Sequence, residues 1–107
     1  MVTVNVVVLA GTIAAEPVER TLPSGDAVTE LRLSVPEAGK RFLPLPVAVW
    51  HKAVGKRALK DIAKGDQVLV HGQLARRFYR SGAGARSLTE VVATGIKKLE
   101  RPDEEEG

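Results

Sequence analysis

The fold of this chain is decided by the stretch Glu16–Gly25, which reads EPVERTLPSG. A segment rich in β-branched residues, Asn5 to Ala15, precedes this stretch, and a second strand-like run, Ala27 to Val35, follows it. The two prolines of the stretch interrupt regular strand pairing, and its final glycine tolerates the backbone of a tight turn. Two strands joined by such a connection predict the opening of a small β-barrel.

The first strand-like segment is apolar on both sides at its start. Val6, Val7 and Val8 are adjacent, and Gly11 further along predicts a bend or bulge. A strand with two apolar sides is either covered on both sides within one subunit or placed at a subunit interface. We expect the interface, and hence a homo-oligomer, a dimer or a tetramer, assembled through the first strand.

The rest of the chain alternates between apolar and polar residues, except in one segment of helical period. That segment, Lys52 to Ala63, predicts a helix that ends at Lys64-Gly65. Period-two alternation predicts strands over Ala27 to Val35 and over Gln67 to Leu74, with an extension through Tyr79. Val47 to Trp50 and Leu88 to Leu99 are the other predicted strands. This order predicts an all-β OB-fold, a five-stranded Greek-key barrel with one short helix between strands 3 and 4.

The extended fourth strand leads into a segment of small residues. The same alternation places Leu74 and Phe78 on its core side and Arg77 and Tyr79 on its other side. Residues Arg80 to Arg86 are rich in glycine and alanine, so they predict a flexible loop.

The charge of the chain is distributed unevenly. The formal net charge is +3, but four of the 13 acidic residues lie at 103–106, and the 16 cations outnumber the other nine acids by seven. We expect one domain over residues 1–100 and a short acidic, disordered tail over 101–107. A basic body with an acidic tip fits a protein that binds a polyanion, although ordinary surface charge gives the same composition.

Several function classes find no support in the sequence. With no cysteine, the chain can form neither a disulfide nor a thiolate metal site. His51 and His71 lack the spacing of metal ligands, and no nucleophile elbow or phosphate loop is present. We therefore expect no enzyme, no metal and no cofactor. The apolar start of the chain is interrupted by polar residues and lacks a basic beginning, which predicts a cytoplasmic protein without a membrane anchor.

The order and spacing of several short motifs carry a family resemblance. They are Asn5 to Gly11, Glu16-Pro17 with Arg20, Leu22-Pro23-Ser24-Gly25, Val47-Ala48-Val49-Trp50, Lys64 to Leu74 and Thr89-Glu90-Val91-Val92. Together they resemble the bacterial single-stranded DNA-binding protein family. The resemblance implies an OB-fold that binds single-stranded DNA without sequence preference in replication, recombination and repair, associated with the nucleoid. Replication or repair proteins are further partners that it implies.

The chain also departs from that family. The loop from Pro36 to Phe42 is shorter than usual, and the tail lacks the long linker and the Pro-Phe end that recruit other enzymes. A short chain of this kind is also similar to the primosomal replication protein B group. That alternative implies an OB-fold adaptor that acts mainly through protein–protein interaction.

Aromatic and cationic residues are the candidates for contacts with DNA. The resemblance implies that Trp50 and Tyr79 stack on bases, although each could instead belong to the core. Arginines around Tyr79 interleave cations with rings, as a surface for phosphates and bases requires. The full set of predicted nucleic-acid-binding residues is Arg20, Arg32, Lys40, Arg41, Trp50, Lys52, Arg76, Arg77, Tyr79, Arg80 and Arg86. Lys56 and Lys60 could extend this set or simply face solvent.

Overall fold

The computed structural model describes residues 2–35, 44–82 and 84–99, and only the backbone of Arg77, Tyr79 and Ser81. The predictions for Lys40, Arg41 and the acidic tail therefore lie outside the described residues. The described strands are β1 (Val7–Ile13), β2 (Val18–Thr21), β3 (Ala27–Ser34), β4 (Leu45–Trp50), β5 (Gln67–Ser81) and β6 (Gly84–Leu99). Between β4 and β5 lie a one-turn helix, α1 (His51–Val54), and a 3-10 turn (Lys56–Leu59).

These strands form one closed sheet. Their order is β1-β5-β6-β4-β3-β2, and a further pairing of β1 with β3 closes the barrel. Strands β4 and β6 run parallel, and the other pairings within the described strands are antiparallel. This topology, with its helical segment after the third long strand, confirms the predicted OB-fold.

The barrel interior is aliphatic because alternate residues of each strand point inward. Each fully buried valine or leucine contributes about 1.5 to 3 kcal/mol relative to an exposed one. The largest fully buried side chains are those of Ile13, Leu31, Leu33, Val47, Val49, Val68, Val70 and Val91. Ile62 seals one end of the barrel, together with the half-buried Val54 and Leu59.

The stretch Glu16–Gly25 contains a strand that the sequence pattern did not predict. Val18–Thr21 forms β2, which pairs with the first half of β3, and all four of its residues are exposed. The turn to β3 is closed by the Leu22 amide, which donates to the Asp26 carbonyl at 2.8 Å, and by Gly25 at φ +94°. With no buried side, β2 lacks the apolar alternation that reveals other strands.

The predicted helix from Lys52 to Ala63 is wrong in its length. Only His51–Val54 is α-helical, and Gly55 then adopts φ +87°, a conformation that L side chains rarely take. The chain continues as the Lys56–Leu59 turn, which leaves Ala58 exposed. Apolar residues recur at helical spacing because both short pieces cover the same end of the barrel.

The predicted loop from Arg80 to Arg86 is also wrong, because most of it belongs to a long hairpin. Strand pairing between β5 and β6 continues to Ser81 and Gly84. Leu74 is 51% exposed and Phe78 is 72% exposed, so the prediction that both lie in the core fails. Phe78 is exposed together with Arg76 and Arg80, because among the described residues no other strand or helix packs over their side of the hairpin.

Candidate nucleic-acid interface

One side of the sheet, here called the outer face, carries several of the predicted DNA contacts. Cross-strand partners project to the same side of a sheet. Arg20 of β2 pairs with Val28 of β3, which pairs with Trp50 of β4, so the three form one row on this face. Val28 is only 5% exposed between these two large neighbours.

Trp50 is half-buried, and a cation is held beside its ring. The Lys52 Nζ lies 5.7 Å from the ring centroid, a cation–π distance, and 3.5 Å from the Asp26 Oδ2. Asp26 is itself fixed in the β2–β3 turn, where its Oδ2 accepts from the Ser24 hydroxyl at 3.2 Å. A base that stacked on the ring face beside Lys52 would therefore meet this ammonium, which is also within reach of a neighbouring phosphate.

Arg20 and Arg32 share a second part of the outer face with carboxylates. A shallow hollow of about 110 Å³ is lined by Arg20, Arg32, Glu30 and Glu90 together with Pro46 and Leu88. The Arg20 guanidinium donates to the Glu30 carboxylate. Two cations and two carboxylates balance in charge, so Glu30 and Glu90 reduce the attraction of this hollow for a phosphate.

The β5–β6 hairpin carries predicted DNA-contact residues on both of its sides. Arg86 and Leu88 of β6 continue the outer face, and in the backbone register they oppose Tyr79 and Arg77. Arg76, Phe78 and Arg80 occupy the alternate positions, opposite Thr89, Ser87 and Ala85. The run from Arg76 to Arg80, which the sequence suggested as one cluster, is therefore divided between the outer face and a reverse face.

Phe78 is an exposed ring that sequence reasoning assigned to the core. Its position between Arg76 and Arg80 on the reverse face gives it the cation-and-ring composition expected of a stacking site. The signal that could have revealed this was Gly82 with Gly84, because closely spaced glycines also predict a tight hairpin turn.

The described residues were also compared with the requirements of a metal site and of a membrane-spanning helix. Among residues 2–35, 44–82 and 84–99, no group of three or more histidine or acidic side chains could hold a metal ion. Within the same ranges, no helix has both the length and the apolar character needed to cross a membrane.

Comparison with known proteins agrees with this architecture. Among solved structures, the complex of Plasmodium falciparum SSB with ssDNA is similar to this chain, with 20% sequence identity and a TM-score of 0.74. The similarity covers 94% of this chain and 98% of that chain, and it shows that the two share a fold. The family model described as "Single-strand binding protein family" matches residues 4–99. The chain therefore belongs to the single-strand binding protein family, a family of single-stranded DNA-binding proteins.

Proposed function

We propose that this protein binds single-stranded DNA without sequence preference along the outer face. Trp50 supplies the stacking platform, because every base has a π face and each stacked base contributes about 1 to 3 kcal/mol. Lys52 is already beside the ring, and Arg32 and Arg86 lie on the same face. The observation that carries the proposal is the half-buried Trp50 ring on a sheet face that also bears these cations.

Arg77 and Tyr79 complete this surface in the proposal. Their backbone positions oppose Leu88 and Arg86, which belong to the outer face. Arg76 and Arg80 are assigned to the reverse face, where they flank Phe78 and contact DNA that passes around the hairpin.

The cellular role we propose is the protection of unpaired DNA in replication, recombination and repair, in the cytoplasm at the nucleoid. The protein acts there by occupying the strand, without catalysis. Replication and repair proteins are its expected protein partners.

We further propose that the protein works as a homo-oligomer, a dimer or a tetramer, assembled through β1 and the residues before it. Val2, Val4, Val6 and Val8 are between 62% and 89% exposed and recur with the period of a strand. The Asn5 side chain exchanges two 2.9 Å hydrogen bonds with the Leu74 backbone, which fixes this segment beside β5. A second copy that covers these valines would remove their exposed apolar surface from water.

Light scattering of single-residue variants tests the assembly. Val6→Glu and Val8→Glu should lower the molar mass to that of one chain. Val18→Glu is the matched control, because Val18 is 53% exposed on β2 and distant in register from β1. A one-chain mass for the unsubstituted protein, or an equal effect of all three substitutions, would refute the proposed interface.

Fluorescence anisotropy of labelled oligo-dT, with a duplex as the competitor, tests the DNA-binding face. Trp50→Leu should weaken binding by on the order of 1 to 3 kcal/mol, whereas Trp50→Phe retains a ring and should retain most of the affinity. Equal affinities of the two variants would exclude stacking at this position. A protein with no preference for the single strand over the duplex would instead support the primosomal adaptor alternative.

A further inference from the structure

An open groove lies on the side of the β2–β3 ribbon opposite to the outer face. Glu19 pairs with Thr29 in the sheet, and both line the groove, whereas their neighbours Arg20 and Glu30 line the hollow of the outer face. The far wall is the Lys56–Leu59 turn with Lys60. The groove has a volume of about 570 Å³, which lies within the range of about 300 to 1,000 Å³ typical of ligand pockets.

The groove carries more positive than negative charge. Lys56, Arg57 and Lys60 line it, and Glu19 is the carboxylate among its described lining residues. Within the part of the chain that the structure describes, these three cations form no ion pair, whereas Arg20, Lys52 and Lys98 each contact a carboxylate. The groove is therefore electrostatically suited to an anion.

The groove also has apolar and hydrogen-bonding lining residues, which a simple anion would not contact. Pro17 and Leu59 are half-buried apolar residues that line it. The nearly buried Thr29 hydroxyl forms a 2.7 Å hydrogen bond with the His51 Nε2. A cavity that combines apolar walls, a polar floor and cations matches a nucleotide, which has flat apolar faces, a polar edge and a phosphate. An acidic peptide would satisfy the cations but would leave the apolar walls without a partner.

We propose that this groove is a second nucleotide-binding site, which takes one nucleotide of a single strand whose other nucleotides lie on the outer face. The inference rests on the proposed function in one respect, that the ligand is single-stranded DNA. The base lies against Pro17 and Leu59, and the phosphate lies among Lys56, Arg57 and Lys60. Trp50 and His51 are consecutive residues that belong to the two different sites, so a strand can pass from one to the other around the end of β4.

Two readouts on the full chain separate the groove from the outer face. The chain contains a single tryptophan, so quenching of Trp50 fluorescence by oligo-dT reports the outer face. Amide shifts of Thr29, His51 and Leu59 in an isotope-labelled sample report the groove. Both are followed during titration with thymidine monophosphate, a short oligo-dT and a long oligo-dT.

The variant Lys56→Gln/Lys60→Gln is compared with the matched control Lys64→Gln/Lys97→Gln, whose lysines are exposed and do not line the groove. The groove variant should bind the long oligo-dT about fivefold more weakly, and its slope of log affinity against log salt should be shallower by up to about 0.7, because the contact with one phosphate is lost. The control variant should keep the salt slope of the unsubstituted protein, and both should bind the short oligo-dT equally.

Four results distinguish the groove from the outer face. Groove amides that shift with thymidine monophosphate and with the long strand, together with a loss confined to the groove variant, would support it. Trp50 quenching without any shift of the groove amides would overturn it and leave the proposed function intact. Equal shifts with a glutamate-rich peptide would overturn it too, since the groove would then be a general anion site. Groove shifts without Trp50 quenching would instead refute the outer face and retain the groove.

Discussion

Replacing Glu30 with glutamine should strengthen the binding of single-stranded DNA. Glu30 lies on β3 within the outer face, where it accepts a hydrogen bond from Arg20 and shares a hollow with Arg32. Its carboxylate repels any phosphate that approaches this hollow and also occupies the guanidinium that could neutralise one. Glutamine keeps the size of the side chain and removes its charge.

The expected magnitude follows from the exposure of the pair. The Arg20 and Glu30 side chains are 50% and 36% exposed, so their ion pair contributes about 0 to 1 kcal/mol to folding, and Tm should change little. A phosphate at about 7 Å from a carboxylate in water is repelled by about 0.6 kcal/mol, which corresponds to a factor of about three in affinity. If Arg20 then neutralises one further phosphate, the slope of log affinity against log salt becomes steeper by about 0.7.

Anisotropy of labelled oligo-dT over a series of salt concentrations measures both quantities. Asp61→Asn is the matched control, because it removes one exposed carboxylate that does not line the outer-face hollow. Both variants raise the net charge by one, so a general electrostatic effect would be the same in each. A gain in affinity that is equal in the two variants, or a weaker affinity of Glu30→Gln, would refute the assignment of DNA to this face.

Four other substitutions test the hairpin, the barrel and the segment before β1. Phe78→Ser should reduce affinity for a long oligo-dT by on the order of 1 kcal/mol with little change in Tm, because the ring is 72% exposed; a large loss of Tm would show that the ring packs. Gly72→Ala should lower the free energy of unfolding by about 3 kcal/mol or more, since the new Cβ would clash with the backbone carbonyl of Val92 on β6. Gly25→Ala, at φ +94° in open space, should cost only about 1 kcal/mol, and equal denaturation midpoints would contradict this reasoning. Asn5→Ala should speed hydrogen exchange at the Leu74 amide, which donates to the Asn5 side chain; unchanged exchange would show that another group protects that amide.

Periodicity predicted the elements that have one buried and one exposed side. Leu31 and Leu33 alternate with polar neighbours on β3, and on β5 Val68 and Val70 alternate with Gln67, Leu69 and His71, because each strand forms part of the barrel wall. The exposed strand β2 escaped prediction, since a strand without a buried side has no apolar period. Conversely, the helical period of the segment after Trp50 overestimated α1, because it could not show that Gly55 divides the segment.

The sequence predicted which residues form the candidate site better than it predicted how the fold arranges them. Alternation alone separates Arg76 and Arg80 from the positions of Arg77 and Tyr79, so the division of this run between two faces was accessible from the sequence. The exposure of Phe78 was not accessible in this way, because parity identifies a side of a strand without showing whether another layer covers that side. The pairing of Arg20 with Glu30 depends on a register that only the folded sheet defines.

The β2–β3 ribbon connects the two proposed DNA sites. Among the described strands, β2 pairs with β3 alone and all its residues are exposed, so it is an edge strand of the sheet. Near its two ends, the ribbon is tied to the rest of the protein by the Lys64 amide, which donates to the Glu16 carboxylate at 3.4 Å, and by the ion pair of Asp26 with Lys52. β2 contributes Arg20 to one proposed site and Glu19 to the lining of the other. In this proposal, DNA that restrains the edge strand from one side would lower the cost of ordering it for the other side, which would couple the two sites.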